Sequence, residues 1–392
     1  MHNFISPLIL TTLNGLAHGA KHGLIVGNFV QQSLYSLTYD DLTHELALVA
    51  NTSVSSPNSW LSLNHDNSVL YGTNYTYINS ASQTNLTTPP TYTSFRIHSI
   101  THIEEETTLQ GKTGCNGSAI YIEALNNPPY TVYGFDYWGM PGCAQVMSVH
   151  SNGSLNEVIQ DFEYLPGSGV HGSAFNKDET ILYAADTLGN AIWTQPLEPL
   201  TGKLCEPIAV IPGPSDHADP RHVVLHQSGK ALYAVMEGSN EMAWYGIDEE
   251  SQIPTLKGLF PLLPEELEGS TDLWANEVVV SMSGTYIWST TRGKGNHTGY
   301  LSVFEADAET GHVLSQNFIV PTETSGGVAN VVVPSLFDDR VVALTDNAVG
   351  FVEVWQLDED KMGARPVARI VLSDQGNERY KSGCCAGAVW LE

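Results

Sequence analysis

Four side chains in this sequence could do chemistry together: His171, Arg221, Glu237 and Arg292. An imidazole and a carboxylic acid are the usual groups for moving a proton near neutral pH. A pair of guanidinium forks suits carboxylates and stabilises negative charge as it develops. Arginine is scarce: only Arg96, Arg221, Arg292, Arg340, Arg365, Arg369 and Arg379 occur, so two at one place would form an anion clamp. The plainer alternative is that Arg221 and Arg292 are neutralised by Glu237 and Asp219 as structural salt bridges.

Other groupings lack the context their chemistry needs. His217, Asp219, His222 and His226 invite a zinc reading. On one strand His222 and His226 would stand about 13 Å apart, too far for one ion, and no metal is expected. Gly167 to Gly172 fits G-x-G-x-x-G formally but leads into a strand, whereas the dinucleotide motif opens a helix. There is no P-loop and no G-x-S-x-G elbow, so neither a nucleotide cofactor nor serine hydrolysis is indicated. No cofactor is expected.

The elements that must position the four groups follow from a repeat. Short apolar runs recur at Leu24–Gly27, Leu70–Gly72, Ile120–Ile122, Leu182–Ala184, Leu232–Ala234, Ile287–Ser289 and Val341–Ala343. One anchor in each (Val26, Tyr71, Tyr121, Tyr183, Tyr233, Trp288 and Val342) gives steps of 45 to 62 residues, about 53 on average. Within the fourth unit, Gly172–Phe175, Thr180–Ala185, Ala191–Gln195 and Ile208–Ile211 read as four successive strands separated by turn residues. Seven such units predict an all-β chain: a seven-bladed propeller of four-stranded antiparallel blades. The propeller spans 20–392 as one domain. Gly387–Leu391 reads as a surplus first strand that pairs with the N-terminal blade and closes the ring. In that register His171 and Arg221 immediately precede innermost strands, while Glu237 and Arg292 follow second strands. Antiparallel neighbours put all four at one end of the channel.

Composition narrows the rest. The chain has 392 residues, with 43 acids and 16 bases for a net charge of −27, yet only 15% of residues are charged. That excludes a disordered polyelectrolyte and the basic stripe that nucleic acid requires. No apolar run of membrane-spanning length follows the N-terminus. Residues 1–19, with the apolar run Phe4–Leu13 and the small residues of Ala17-His18-Gly19, read as a secretory signal peptide. A secreted, cell-surface or cell-wall protein is therefore expected, or a cytoplasmic one if that segment is no signal. Candidate glycosylation sites are Asn51, Asn74, Asn85, Asn116, Asn152 and Asn296. Of the five cysteines, Cys115 and Cys143 could pair across one hairpin-rich unit, and the vicinal Cys384 and Cys385 read as structural.

Several stretches carry a family likeness. They include Asn127–Tyr133, Val170–Phe175, Asp219–His226, Leu232–Asn240, Ser289–Arg292, Thr324–Gly327 and Gly387–Trp390. From about residue 22 to the end, the chain resembles the eukaryotic 3-carboxy-cis,cis-muconate cyclases, relatives of the 6-phosphogluconolactonase-like lactonases. The resemblance implies a metal-free seven-bladed propeller that reversibly closes 3-carboxy-cis,cis-muconate into a lactone. It implies His171 and Glu237 as catalytic residues and Arg221 and Arg292 as substrate-binding residues. A small polycarboxylate or lactone would be the partner, with no nucleic acid. Two positions depart from the family pattern: Asp219 replaces the His of His-Pro-Arg, and Val328 replaces the His after Ser-Gly-Gly. Two other readings compete. One is a lactone hydrolase of the same fold, in which water replaces the internal nucleophile. The other is a secreted glycoprotein acting as an adhesin or surface antigen.

Overall fold

Short β-branched and aromatic runs, interrupted by Gly, Asn and Asp turns, favour strands over helices. In the computed structural model the described residues are 19–75, 88–112, 114–139, 141–295, 297–372 and 384–391. They form 28 strands and one helical turn, Glu265–Leu267. The strands make seven four-stranded antiparallel sheets arranged as a propeller. The innermost strands, in blade order, are Ala388–Leu391, Asn58–Leu63, Ser118–Ala124, Val170–Phe175, Pro220–Leu225, Leu273–Val280 and Val332–Pro334. Ala388–Leu391 pairs with Lys21–Val26, Trp390 opposite Leu24, so the two ends of the chain share one sheet as predicted. Residues 1–18, which hold nearly all of the expected signal peptide, lie outside the described residues. No helix among the described residues is long and apolar enough to cross a membrane.

The aromatic anchors of the repeat have a physical role. Tyr71, Tyr133, Tyr183 and Tyr233 sit on second strands and are buried. Each hydroxyl donates to a backbone carbonyl in the turn joining the third and fourth strands of the following blade. The acceptors are Gly153 at 2.6 Å, Gly202 at 2.5 Å, Gln252 at 2.9 Å and Gly311. Those four acceptors all have positive φ, from 58° to 86°, because the turn must aim its carbonyl back at the neighbouring blade. Apolar clusters fill the spaces between blades; Tyr183, Ile192, Leu232, Ala234 and Tyr245, for example, join the fourth to the fifth.

The third anchor of the repeat needs correcting. Tyr121 lies on the innermost strand Ser118–Ala124, and the second strand of that blade is Val132–Tyr137, with Tyr133 in the anchor role. Ile-Tyr-Ile at 120–122 mimics the anchor pattern because this inner strand is also buried between two blades. Blade three also holds a disulfide between Cys115 and Cys143, with Cα atoms 5.7 Å apart. Cys384 and Cys385 are bonded to each other just before the closing strand, and Cys205 is free and exposed.

One irregularity recurs. Five innermost strands carry a bulge near their start; four leave one residue without a ladder partner, Ile120, His171, Arg221 or Asn276, and Asn58–Leu63 leaves Ser59 and Trp60. A bulge re-aims a side chain and adds local twist. Here it operates in five consecutive blades at the same end of the channel.

Candidate active site

His171 and Arg221 are bulged residues on the innermost strands of blades four and five. Those strands begin at Val170 and Pro220, so both residues lie inside them rather than ahead of them. Arg292 likewise lies within its second strand, Tyr286–Gly293, because pairing continues to Trp274 opposite Arg292. Glu237 directly follows the second strand Ala231–Met236. Despite these shifts, all four line one cavity of about 280 Å³. Phe29, Trp60, Tyr137, Trp138 and Trp274 are among the other lining residues, so the charged groups sit beside several aromatic rings. The Arg292 guanidinium lies 5.1 Å from the Trp274 ring centroid, within cation–π range.

Glu237 bridges the two arginines. Its Oε2 is 2.9 Å from Arg221 Nε and 3.1 Å from Arg292 Nη2. Arg221 also donates from Nη1 to the carbonyl of Asn276, and Arg292 from Nη1 to that of Val328. Asp219 has no ion pair among the described residues, so its expected share in neutralising the arginines is not seen. Two guanidiniums against one carboxylate leave an excess positive charge in the cavity, with N–H donors to spare. Burial and the neighbouring Arg292 lower the Arg221 pKa to about 10, partly offset by Glu237; it stays protonated at neutral pH.

His171 is 6% exposed and stays neutral. Burial, with Arg221, His222 and Arg292 beside it, pulls its pKa well below the ordinary imidazole value. Its Nδ1 is 3.0 Å from Nε2 of His222, which leaves Nε2 as the nitrogen for a ligand. His222 in turn has Nδ1 2.9 Å from Oε1 of Glu277. Burial pushes the Glu277 carboxyl up to about 8, with Arg221 opposing the shift.

His222 and Glu277 extend the set that sequence reasoning assembled. The sequence pattern offers His222 only as a metal ligand, and nothing in the run Leu273–Val280 marks Glu277. The signal is a shared frame: Val170-His171-Gly172, Pro220-Arg221-His222 and Ala275-Asn276-Glu277 each place one residue on the bulge and the next beside it. Gly172 holds the same position as His222 and Glu277. A Cβ there would come within 2.9 Å of the Arg221 carbonyl oxygen and 3.0 Å of His222 Cα, so only glycine lets the two strands close up. His226, from the zinc reading, lies elsewhere, with Nε2 3.0 Å from the Gly284 carbonyl oxygen and Nδ1 2.8 Å from Ser228 Oγ.

The glycosylation candidates separate by position. Asn51 and Asn152 are exposed, and Asn116 is half-buried. Asn74 is buried and accepts from Thr93 Oγ1 at 3.0 Å. Asn85 and Asn296 lie outside the described residues.

Comparison with known proteins adds to this geometry. The family model described as lactonase, 7-bladed beta-propeller, matches residues 23–328. A carboxy-cis,cis-muconate cyclase from Neurospora crassa is 29% identical over 375 residues, covering 91% of this chain and 97% of that protein. Muconate cycloisomerase 1 from Cutaneotrichosporon cutaneum is 25% identical over 409 residues, covering 95% and 98%. Among solved structures, a periplasmic gluconolactonase from Pseudomonas aeruginosa superposes with a TM-score of 0.78 at 16% identity, covering 95% of this chain and 99% of that one. A protein from Lactobacillus plantarum gives 0.74 at 16% identity, covering 95% and 100%. The structural likenesses speak for the fold, and the family match extends over most of the chain. This chain belongs to the seven-bladed β-propeller lactonases.

Proposed function

We propose that this protein is an enzyme that cyclises a small unsaturated polycarboxylate, of the 3-carboxy-cis,cis-muconate kind, into a lactone. The observation that carries the reading is the single cavity lined by His171, Arg221, Glu237 and Arg292. The likeness to a carboxymuconate cyclase and a muconate cycloisomerase supports the choice of substrate class. A cavity of about 280 Å³ suits a small organic acid rather than a polymer.

In this reading one carboxylate adds across a conjugated double bond and closes a five-membered ring. The alkene electron pair moves to the carbon beside another carboxylate, and that carbon takes a proton. Arg221 and Arg292 hold carboxylates and stabilise the enolate-like charge. The cavity keeps attacking oxygen and alkene together, which lowers the entropic part of the barrier. Of the two proton-handling candidates, His171 is favoured as the donor, because Glu237 is occupied in holding the arginines. We also read the chain as exported; the Cys115–Cys143 pair and the exposed Asn51 and Asn152 support this.

The test is the ultraviolet absorbance of 3-carboxy-cis,cis-muconate, which falls as conjugation is lost. Wild-type protein should consume that absorbance, and His171→Ala should do so at least ~100-fold more slowly. Equal rates in wild type and variant, or no consumption by wild type, would reject the reading.

A further inference from the structure

The channel has a second mouth. There a cavity of about 400 Å³ is lined by Glu123, Lys177, Glu179 and Glu277, among other residues. Glu277 opens on this cavity and His171 on the first, and His222, 2% exposed, lies between them. The contacts are continuous: His171 Nδ1 to His222 Nε2 at 3.0 Å, then His222 Nδ1 to Glu277 Oε1 at 2.9 Å. The Trp60 and Tyr121 rings pack edge-on against His222, with centroids at 4.7 and 5.5 Å. Glu277 Oε2 has no hydrogen-bond partner within the protein.

We propose that Glu277, His222 and His171 form a proton relay that feeds the candidate active site from the opposite mouth of the channel. This inference rests on the reading of His171 as the proton donor. It also removes a difficulty in that reading. His171 is neutral, and a neutral imidazole that gave up its Nε2 proton unaided would become an imidazolate. Replacement of that proton at Nδ1 in the same step avoids the anion.

The balance closes. The ring C–O bond forms and the alkene pair moves to the neighbouring carbon, which takes the Nε2 proton of His171. His171 Nδ1 takes the Nε2 proton of His222, and His222 Nδ1 takes the proton of the Glu277 carboxylic acid. Both imidazoles end neutral, in the other tautomer, and Glu277 ends as a carboxylate, reprotonated from solvent at its own mouth. One carboxylate of the substrate becomes an ester and one proton is consumed. The bound substrate covers the front cavity, so supply from the rear lets it stay in place.

Each protonation state of Glu277 sets one tautomer along the chain. With Glu277 protonated, His171 presents Nε2–H; with Glu277 ionised, His171 presents a bare Nε2. The charged and titratable groups around the relay are Arg221 and Arg292 beside both imidazoles, Tyr137 against His171, and Tyr121 between Glu277 and Glu123. Burial holds Glu277 up to about 8, so the switch falls near that pH.

Full-length protein labelled with 15N-histidine tests this without any substrate. His171 and His222 should exchange ring tautomers together on going from about pH 6.5 to 9.5. The exchange should vanish in Glu277→Gln, whose amide does not ionise. Rings that keep one tautomer throughout in wild type would overturn the relay, whether or not the variant folds. Kinetics add a second readout: cyclisation kcat should fall with rising pH through about 8. Glu277→Gln should lower kcat about 10- to 100-fold with KM within about twofold, and should abolish the pH step. An unchanged kcat in the variant would also overturn the relay. Coupled tautomer exchange in a wild type that leaves 3-carboxy-cis,cis-muconate untouched would uphold the relay and reject the proposed substrate.

Discussion

Glu237 lies with one oxygen between two guanidinium groups, and this contact assigns labour within the site. A carboxylate so placed serves to hold two like charges side by side. His171 has no such duty at Nε2. The pair therefore separates under mutation. Glu237→Gln keeps an oxygen that can accept from both arginines, and its kcat for cyclisation should stay within about tenfold of wild type. His171→Ala removes the imidazole that lines the cavity and should lose at least ~100-fold. Steady-state kinetics on the two variants distinguish the roles, and an equal loss in both would return Glu237 to the proton-transfer step. The arginine clamp was legible from scarcity and strand order. Linear spacing offers Glu237 and Asp219 together as neutralising partners; Glu237 is the one that contacts both arginines, since a salt bridge depends on side-chain reach that spacing does not encode.

Among the elements, the second strands carry the repeat and the innermost strands carry the chemistry. The tyrosine anchors were visible as a pattern, yet their purpose, a hydroxyl donated across to the next blade, requires the turn geometry of that blade. Tyr183→Phe should therefore lower unfolding free energy by about 1–2 kcal/mol in urea melts, because the Gln252 carbonyl loses its donor. An unchanged midpoint would show that the bond contributes nothing across blades. The bulges were not legible at all. Two residues against one in a ladder leave no mark on composition, and the strands holding His171 and Arg221 accordingly start two or three residues earlier than the sequence pattern suggests. The same gap hid Glu277, which with Asn276 reads as a short polar interruption of an apolar strand until its frame is matched with that of His222. Tyr121 was misplaced for the opposite reason: its pattern was clear, but buried inner and second strands share it.

For the whole molecule, number of blades and ring closure follow from the repeat and the two chain ends, and the structure has both. An acidic chain of net charge −27 builds an excess of positive charge into one recess. Screening over roughly 8 Å lets that recess act on a polyanion despite the surrounding surface. A ring also has two mouths, and strand order could say that four groups share one of them without saying what the other holds. The account depends on the substrate occupying the His171 mouth. A crystal structure of the protein soaked with the lactone of 3-carboxymuconate tests this most directly. The account predicts lactone carboxylates about 3 Å from the guanidinium groups of Arg221 and Arg292, with a ring-side carbon facing His171 Nε2. A lactone bound at the Glu277 mouth, or one in the first cavity with its carboxylates turned away from both arginines, would contradict it.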